Sequence, residues 1–179
     1  MGSDMEQPAW LEAAWAEFGV REVPGNGASE RITQYFRDCG HGGIRSDETP
    51  WCAAFVGAIL GRTGYGHTGS LMARSYLDYG AALDAPKPGA IAVLSRGNDS
   101  SAGHVGFYLG VTSDRIILLG GNQGNAVSVE VFERGRLLGY RWPAVNGAHP
   151  VGDGVDAAPS DLFAKALRHV LEMEGGFSN

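Results

Sequence analysis

Cysteine is scarce in this 179-residue chain, which carries only Cys39 and Cys52. Two thiols cannot build the dense disulfide framework of a small secreted domain, although a single bridge between them stays open. Basic residues are also in the minority, 14 Lys and Arg against 20 Asp and Glu, for a formal net charge of −6. They are scattered, so the clustered cations that phosphate backbones require are missing, and nucleic acid is not an expected partner. No apolar run approaches the ~18 residues of a membrane-spanning helix, so no integral membrane association is expected. The N-terminus lacks a basic segment followed by an apolar core and reads as having no signal peptide. Residues 1–6 read as a tag or disordered start, with a cloning remnant ahead of a second initiator at Met5.

Glycine is what the chain has in abundance, with 28 residues. That predicts turns and close backbone approaches and argues against a helical bundle. A hydrophobic share of 44% and a charged share of 19% are ordinary for a globular protein. The length fits one domain with a stub of a second.

Helices come first. Trp10, Leu11, Ala14, Trp15 and Phe18 fall on one helical face. After a Gly/Pro loop, Ser29 is placed to cap a second helix presenting Ile32, Tyr35, Phe36 and Cys39. Asp47, Thr49 and Pro50 announce a third, with Pro in its first turn and Trp51, Cys52, Phe55, Val56, Ile59 and Leu60 at helical spacing. A short helix is expected over 71–79. From residue 90 the pattern turns to strands, near 90–94, 104–109, 115–119, 127–131 and 137–142. Short turns between them favour antiparallel pairing. The expectation is an α+β domain over 7–144, its N-terminal helices packed on an antiparallel sheet of about five strands. Residues 145–160 read as a linker, and 161–179 as an amphipathic helix opening a truncated second domain.

Cys52 is placed in the first turn of its helix, where unpaired N–H groups and the helix dipole favour negative charge. A thiol there is expected to have a lowered pKa and to act as a nucleophile. The alternative is a buried core Cys, or one blocked by a bridge to Cys39. His104 follows Gly103 at a strand start, positioned to reach a helix terminus and act as base; taken alone, it reads more readily as a surface or core His without a role. Asn122, in Gly120-Gly121-Asn122-Gln123-Gly124, is the first candidate to orient that imidazole, with Gln123 and Asn125 as competitors. All three are also ordinary turn formers. Candidate substrate contacts are Trp51, Glu48, Gly103 and Gln123. Cys39, His41, Cys52 and His67 match no usual zinc spacing, so no metal and no cofactor is expected.

Four motifs occur in order: Trp51-Cys52-Ala53-Ala54-Phe55-Val56, Lys87-Pro88-Gly89-Ala90-Ile91-Ala92-Val93, Gly103-His104-Val105-Gly106-Phe107-Tyr108 and Gly120-Gly121-Asn122-Gln123. Together they resemble the superfamily of NlpC-type and CHAP cysteine peptidases and amidases, over roughly residues 8–143. The resemblance implies a papain-like fold and cleavage of amide bonds in bacterial peptidoglycan. It places the nucleophile on Cys52, the base on His104 and the orienting residue on Asn122. It also implies that residues 19–25 form the lead-in loop typical of phage and prophage lytic enzymes. Two positions depart from the pattern: Ala90 stands where many relatives carry Asp, and Gly120 where CHAP members often carry Glu. The glutamate-assisted site is therefore expected to be absent.

Residues 167–179, ending in Glu174-Gly175-Gly176, resemble the opening of a phage muramidase whose catalytic acid would map to Glu174. A lone opening lacks the second carboxylate and the sugar cleft, so no glycosidase activity is expected. The expected whole is an endolysin or a secreted antibacterial effector. It would be made in the cytoplasm and act in the periplasm or wall after release by a holin or secretion system, with a pore-forming or immunity protein as partner. Two rival readings are an inactive wall-peptide binding module and a thiol hydrolase or acyltransferase acting on a non-wall substrate.

Overall fold

The computed structural model describes residues 7–144. The expected start at 1–6, the linker at 145–160 and the muramidase-like segment at 161–179 lie outside the described residues. Helices α1 (Ala9–Ala16), α2 (Glu30–Asp38) and α3 (Cys52–Arg62) come first, followed by a 3-10 segment, Ala73–Asp78. Six strands follow: β1 (Ala81–Leu83), β2 (Ile91–Ser95), β3 (Gly103–Val111), β4 (Arg115–Gly120), β5 (Ser128–Glu133) and β6 (Leu137–Trp142). They form one antiparallel sheet in the order β1-β6-β2-β3-β4-β5. The α+β architecture is the expected one, consistent with a papain-like fold. The strand beyond the expected five is β1, an edge of three residues paired with β6, too short to carry a period-two signal.

Capping chemistry sets α2: Ser29 Oγ accepts the Ile32 N–H at 3.4 Å. Helix α3 begins one step later than the sequence suggests. Trp51 is its N-cap and Cys52 its first helical residue, so Pro50 falls just outside. Every residue from Cys52 to Leu60 is buried. A helix apolar on all sides must be surrounded, and α3 packs between α2 and β3. Strand β2 is apolar on both faces: Ile91 and Val93 join the helix-side core, while Ala92 and Leu94 join a second layer with Tyr108, Ile116 and Leu118. This is why β2 reads as a continuous apolar run.

One buried ionic cluster ties the helices together. Glu17, 6% exposed, accepts hydrogen bonds from Tyr35 Oη at 2.6 Å, from Arg62 Nη1 at 3.1 Å and from both Arg31 Nε and Nη2. Burial alone would raise the Glu17 pKa. The hydrogen bonds from Arg31 and Tyr35, with the charges of Arg31 and Arg62, outweigh it and hold the carboxyl below its ordinary range.

Candidate active site

The start of α3 brings Cys52 against the strand that carries His104. The thiol is 7% exposed, and the backbone N–H groups of Val105, Ala53 and Cys52 itself act on it. Val105 directly follows His104, so the thiol lies against the backbone of the strand that carries the imidazole; Val105 itself faces α3, while His104, opposite Leu94 and stacked on Phe132, faces the second layer. No hydrogen bond joins the two side chains among the described residues.

The His104 ring is clamped on two sides. It stacks on Phe132, with centroids 5.1 Å apart and planes at 30°. Its Nε2 lies 2.9 Å from Gln123 Oε1. The Gln123 amide has no freedom to flip, because its Nε2 donates to Ser128 O at 2.7 Å and to Leu118 O at 3.3 Å. Oε1 can only accept, so His104 Nε2 must carry the proton and Nδ1 holds the basic lone pair.

The orienting bond therefore comes from Gln123, one residue beyond the first candidate, Asn122. Asn122 sits at φ +57° and Asn125 at φ +59°, both in the left-handed region that Asn tolerates better than other non-glycine residues. Asn122 is half-buried and Asn125 exposed, and neither side chain makes a hydrogen bond among the described residues. The two Asn residues shape the turn, and the Gln between them is folded back beneath the ring.

The other candidates are placed as follows. Trp51 is wholly buried and so is not exposed to substrate as expected: it stacks on Tyr35 with centroids 5.9 Å apart, and its Nε1 donates to Glu22 Oε1 at 2.8 Å. Glu48 is exposed ahead of α3, and Gly103 is half-buried where β3 begins. Gln123 is 4% exposed, with its amide committed to His104 and two carbonyls. Cys39 and Cys52 are both free. Cys39 packs in the core and donates to Ala54 O at 3.3 Å. Among the described residues, no group of three His, Cys, Asp or Glu is arranged to hold a metal ion.

Electrostatics correct one expectation. A helix-start thiol is expected to be acidified, yet burial, the largest influence, pushes the Cys52 pKa up. It outweighs the N–H groups of Val105 and Ala53 and the Arg96 charge, all of which pull it down. Burial likewise pushes His104 down to about 4, against the Gln123 hydrogen bond, which raises it; the charges of Arg136 and Arg96 lower it further. At rest the Cys52 thiol and the His104 imidazole are therefore both neutral.

Two further contributors have contacts that the sequence did not mark. The segment after α1 lies along the β4–β5 turn: Val127 N donates to Val20 O at 2.8 Å and Glu22 N to Asn125 O at 2.9 Å. Asp47, expected to support the start of α3, instead binds this segment, its Oδ2 accepting from Val23 N at 2.8 Å and Ser29 N at 2.7 Å. Neither pairing leaves a local trace, since the partners are 18 and 24 residues away.

Residues 44–122 match the family model of the CHAP domain. No curated protein matches the chain.

Proposed function

From a CHAP domain, which places this chain in the CHAP/NlpC-type superfamily of cysteine peptidases and amidases and makes it a hydrolase of that general kind, we propose that it cleaves an amide bond of bacterial peptidoglycan. The bond lies in the wall stem peptide or joins that peptide to muramic acid. Cys52 attacks the carbonyl carbon as His104 Nδ1 takes the thiol proton. The tetrahedral oxyanion draws on backbone N–H groups at the start of α3. The imidazolium returns the proton to the leaving amine, and a thioester remains on Cys52. Water, deprotonated by the same Nδ1, hydrolyses it. Gln123 keeps the ring in the tautomer that leaves Nδ1 free. The Gln123–His104 hydrogen bond at 2.9 Å is the observation that carries this reading.

The place of action follows the substrate: the periplasm or cell wall, reached through a holin pore or a secretion system, as for an endolysin or an antibacterial effector. The test is mass spectrometry of purified peptidoglycan after incubation with this protein and with Cys52→Ala. New amide-derived termini from the parent alone are expected, and they name the bond. Intact peptidoglycan with the parent would overturn the reading. A thiol probe still labelling Cys52 would then point to a non-wall substrate, and retained wall binding without labelling to an inactive binding module.

A further inference from the structure

Three arginines surround the loop joining β2 to β3, beside His104. Arg74 braces that loop: its Nε donates to Ala102 O at 2.7 Å and its Nη2 to Asp99 O at 3.2 Å. Arg136 is fixed at the end of β2, with Nε donating to Ser95 O at 3.0 Å. Its guanidinium lies 5.2 Å from the centre of the Phe132 ring, the ring stacked on His104. Arg96 follows Ser95, whose partner across the ladder is Gly103, the neighbour of His104. Unlike the other two, Arg96 is exposed and has no hydrogen bond or ion pair among the described residues.

Two of these cations, Arg96 and Arg136, act on the candidate reacting groups. Beyond the burial that dominates both, the Arg96 charge acts on the Cys52 thiol, and Arg136 and Arg96 act on the His104 ring. Asp99, the carboxylate of the same loop, is answered by the charge of Arg74. A chain of net charge −6 thus keeps a cationic rim at its catalytic pair. The Arg136 Nε is spent on backbone, which leaves its terminal nitrogens for a ligand, and Arg96 keeps its whole fork. A guanidinium fork matches the geometry of a carboxylate and holds it by charge-assisted hydrogen bonds.

We propose that Arg96 and Arg136 form a carboxylate subsite, so that the preferred substrate carries a free carboxylate next to the scissile amide. This rests on the thiol-hydrolase reading above and adds its selectivity. Stem peptides carry free carboxylates along their length, and the corresponding amides are neutral and of nearly the same shape.

The experiment has two arms. In the first, Cys52 is alkylated with iodoacetate, which is anionic, and with iodoacetamide, which is neutral, and the modified peptide is quantified by mass spectrometry. The intact chain should favour iodoacetate more than a free thiol does. Arg96→Gln should lower the ratio several-fold, and salt should lower it in the parent. In the second, soluble muropeptides with free carboxylates are compared with their carbodiimide-amidated counterparts. The parent should prefer the free form by roughly tenfold in kcat/KM. Arg96→Gln should bring that preference close to one, and Arg96→Lys should retain part of it. Alkylation and cleavage ratios that are the same in parent and Arg96→Gln overturn the subsite. Loss of the iodoacetate preference in Arg96→Gln, with neither muropeptide cleaved by the parent, keeps the subsite and rejects peptidoglycan as the substrate.

Discussion

A Cβ placed on Gly120 would lie 2.5 Å from Gln123 Oε1, the atom that holds the His104 ring. The two residues are a matched pair. The Gln123 side chain turns back under the imidazole through space that only glycine leaves open. The same position looked like a departure from the family pattern because relatives often carry Glu there. Here the absent side chain makes room for a different orienting group.

This relationship separates three substitutions. Gln123→Ala should lower kcat by about 10–100-fold, the usual range for losing a group that orients a catalytic ligand or base. Gly120→Ala should show a similar loss, because the amide must leave the ring or the strand must shift. Asn122→Gly should leave kcat within about twofold, since glycine accepts the φ of +57° without strain. Steady-state hydrolysis together with thermal unfolding of each variant checks the set. A large kcat loss in Asn122→Gly with a normal melting profile would move the orienting role back to Asn122.

Proton affinity gives a second expectation. His104 is held down to about 4, first by burial and further by Arg136 and Arg96, so its base form persists far into acid. The acid limb of kcat/KM should fall near pH 4, not near the ~6.5 of an unperturbed imidazole. At pH 7 the far-ultraviolet thiolate absorbance of the parent should equal that of Cys52→Ser, because burial keeps the thiol protonated. A thiolate signal there would indicate a preformed ion pair. Stability is linked to the same proton. Between pH ~6.5 and about 4 the unfolded chain binds a proton that folded His104 refuses, so stability falls as pH falls through this window and is fully present above it. Replacing His104 with Ala should flatten that slope in denaturant titrations at several pH values.

The path from sequence to site was clear wherever one element carried the signal. Helix α2 announced itself by Ser29 and its apolar spacing, and Cys52 by the turn ahead of α3. His104 stood out by Gly103 and the apolar run after it. The third position was harder because Asn-Gln-Gly-Asn offers several amides, and which one folds back depends on turn dihedrals that composition does not encode. Gly120 was the usable clue, since a glycine at a strand end signals close approach. Asp47 was read as local helix support, but its hydrogen bonds run to Val23 and Ser29 across the fold. The thiol's raised proton affinity was also out of reach, because it follows from packing around α3 and not from position along it.

The Glu17 cluster supplies the remaining expectation. Glu17→Gln keeps the shape but removes the charge that Arg31 and Arg62 share, and should destabilise the fold by about 1–3 kcal/mol. The side chain of Arg31 is 50% exposed and that of Arg62 26%, so solvent screening keeps the cost at the lower end. The folded-state pKa of Glu17 is depressed, so its contribution is present above the ordinary value of 4.5 and is lost as pH falls below it. Chemical denaturation of parent and variant should therefore converge at low pH. A constant gap across the acid range would reject the linkage.

The last strand of the described fold sits inside the sheet. Strand β6 lies between β1 and β2, pairing with both. As the chain leaves the ribosome, β2 to β5 can form by successive hairpins, a sequence of local closures. The β2 edge next to Arg96 stays open until Trp142 has been made, and β1 has no partner before then. Assembly of the candidate site is thus timed to the end of the domain. A nascent chain stalled anywhere before β6 would hold Cys52 and His104 in an unfinished frame with a bare strand edge, prone to pairing with a neighbour before it could hydrolyse anything.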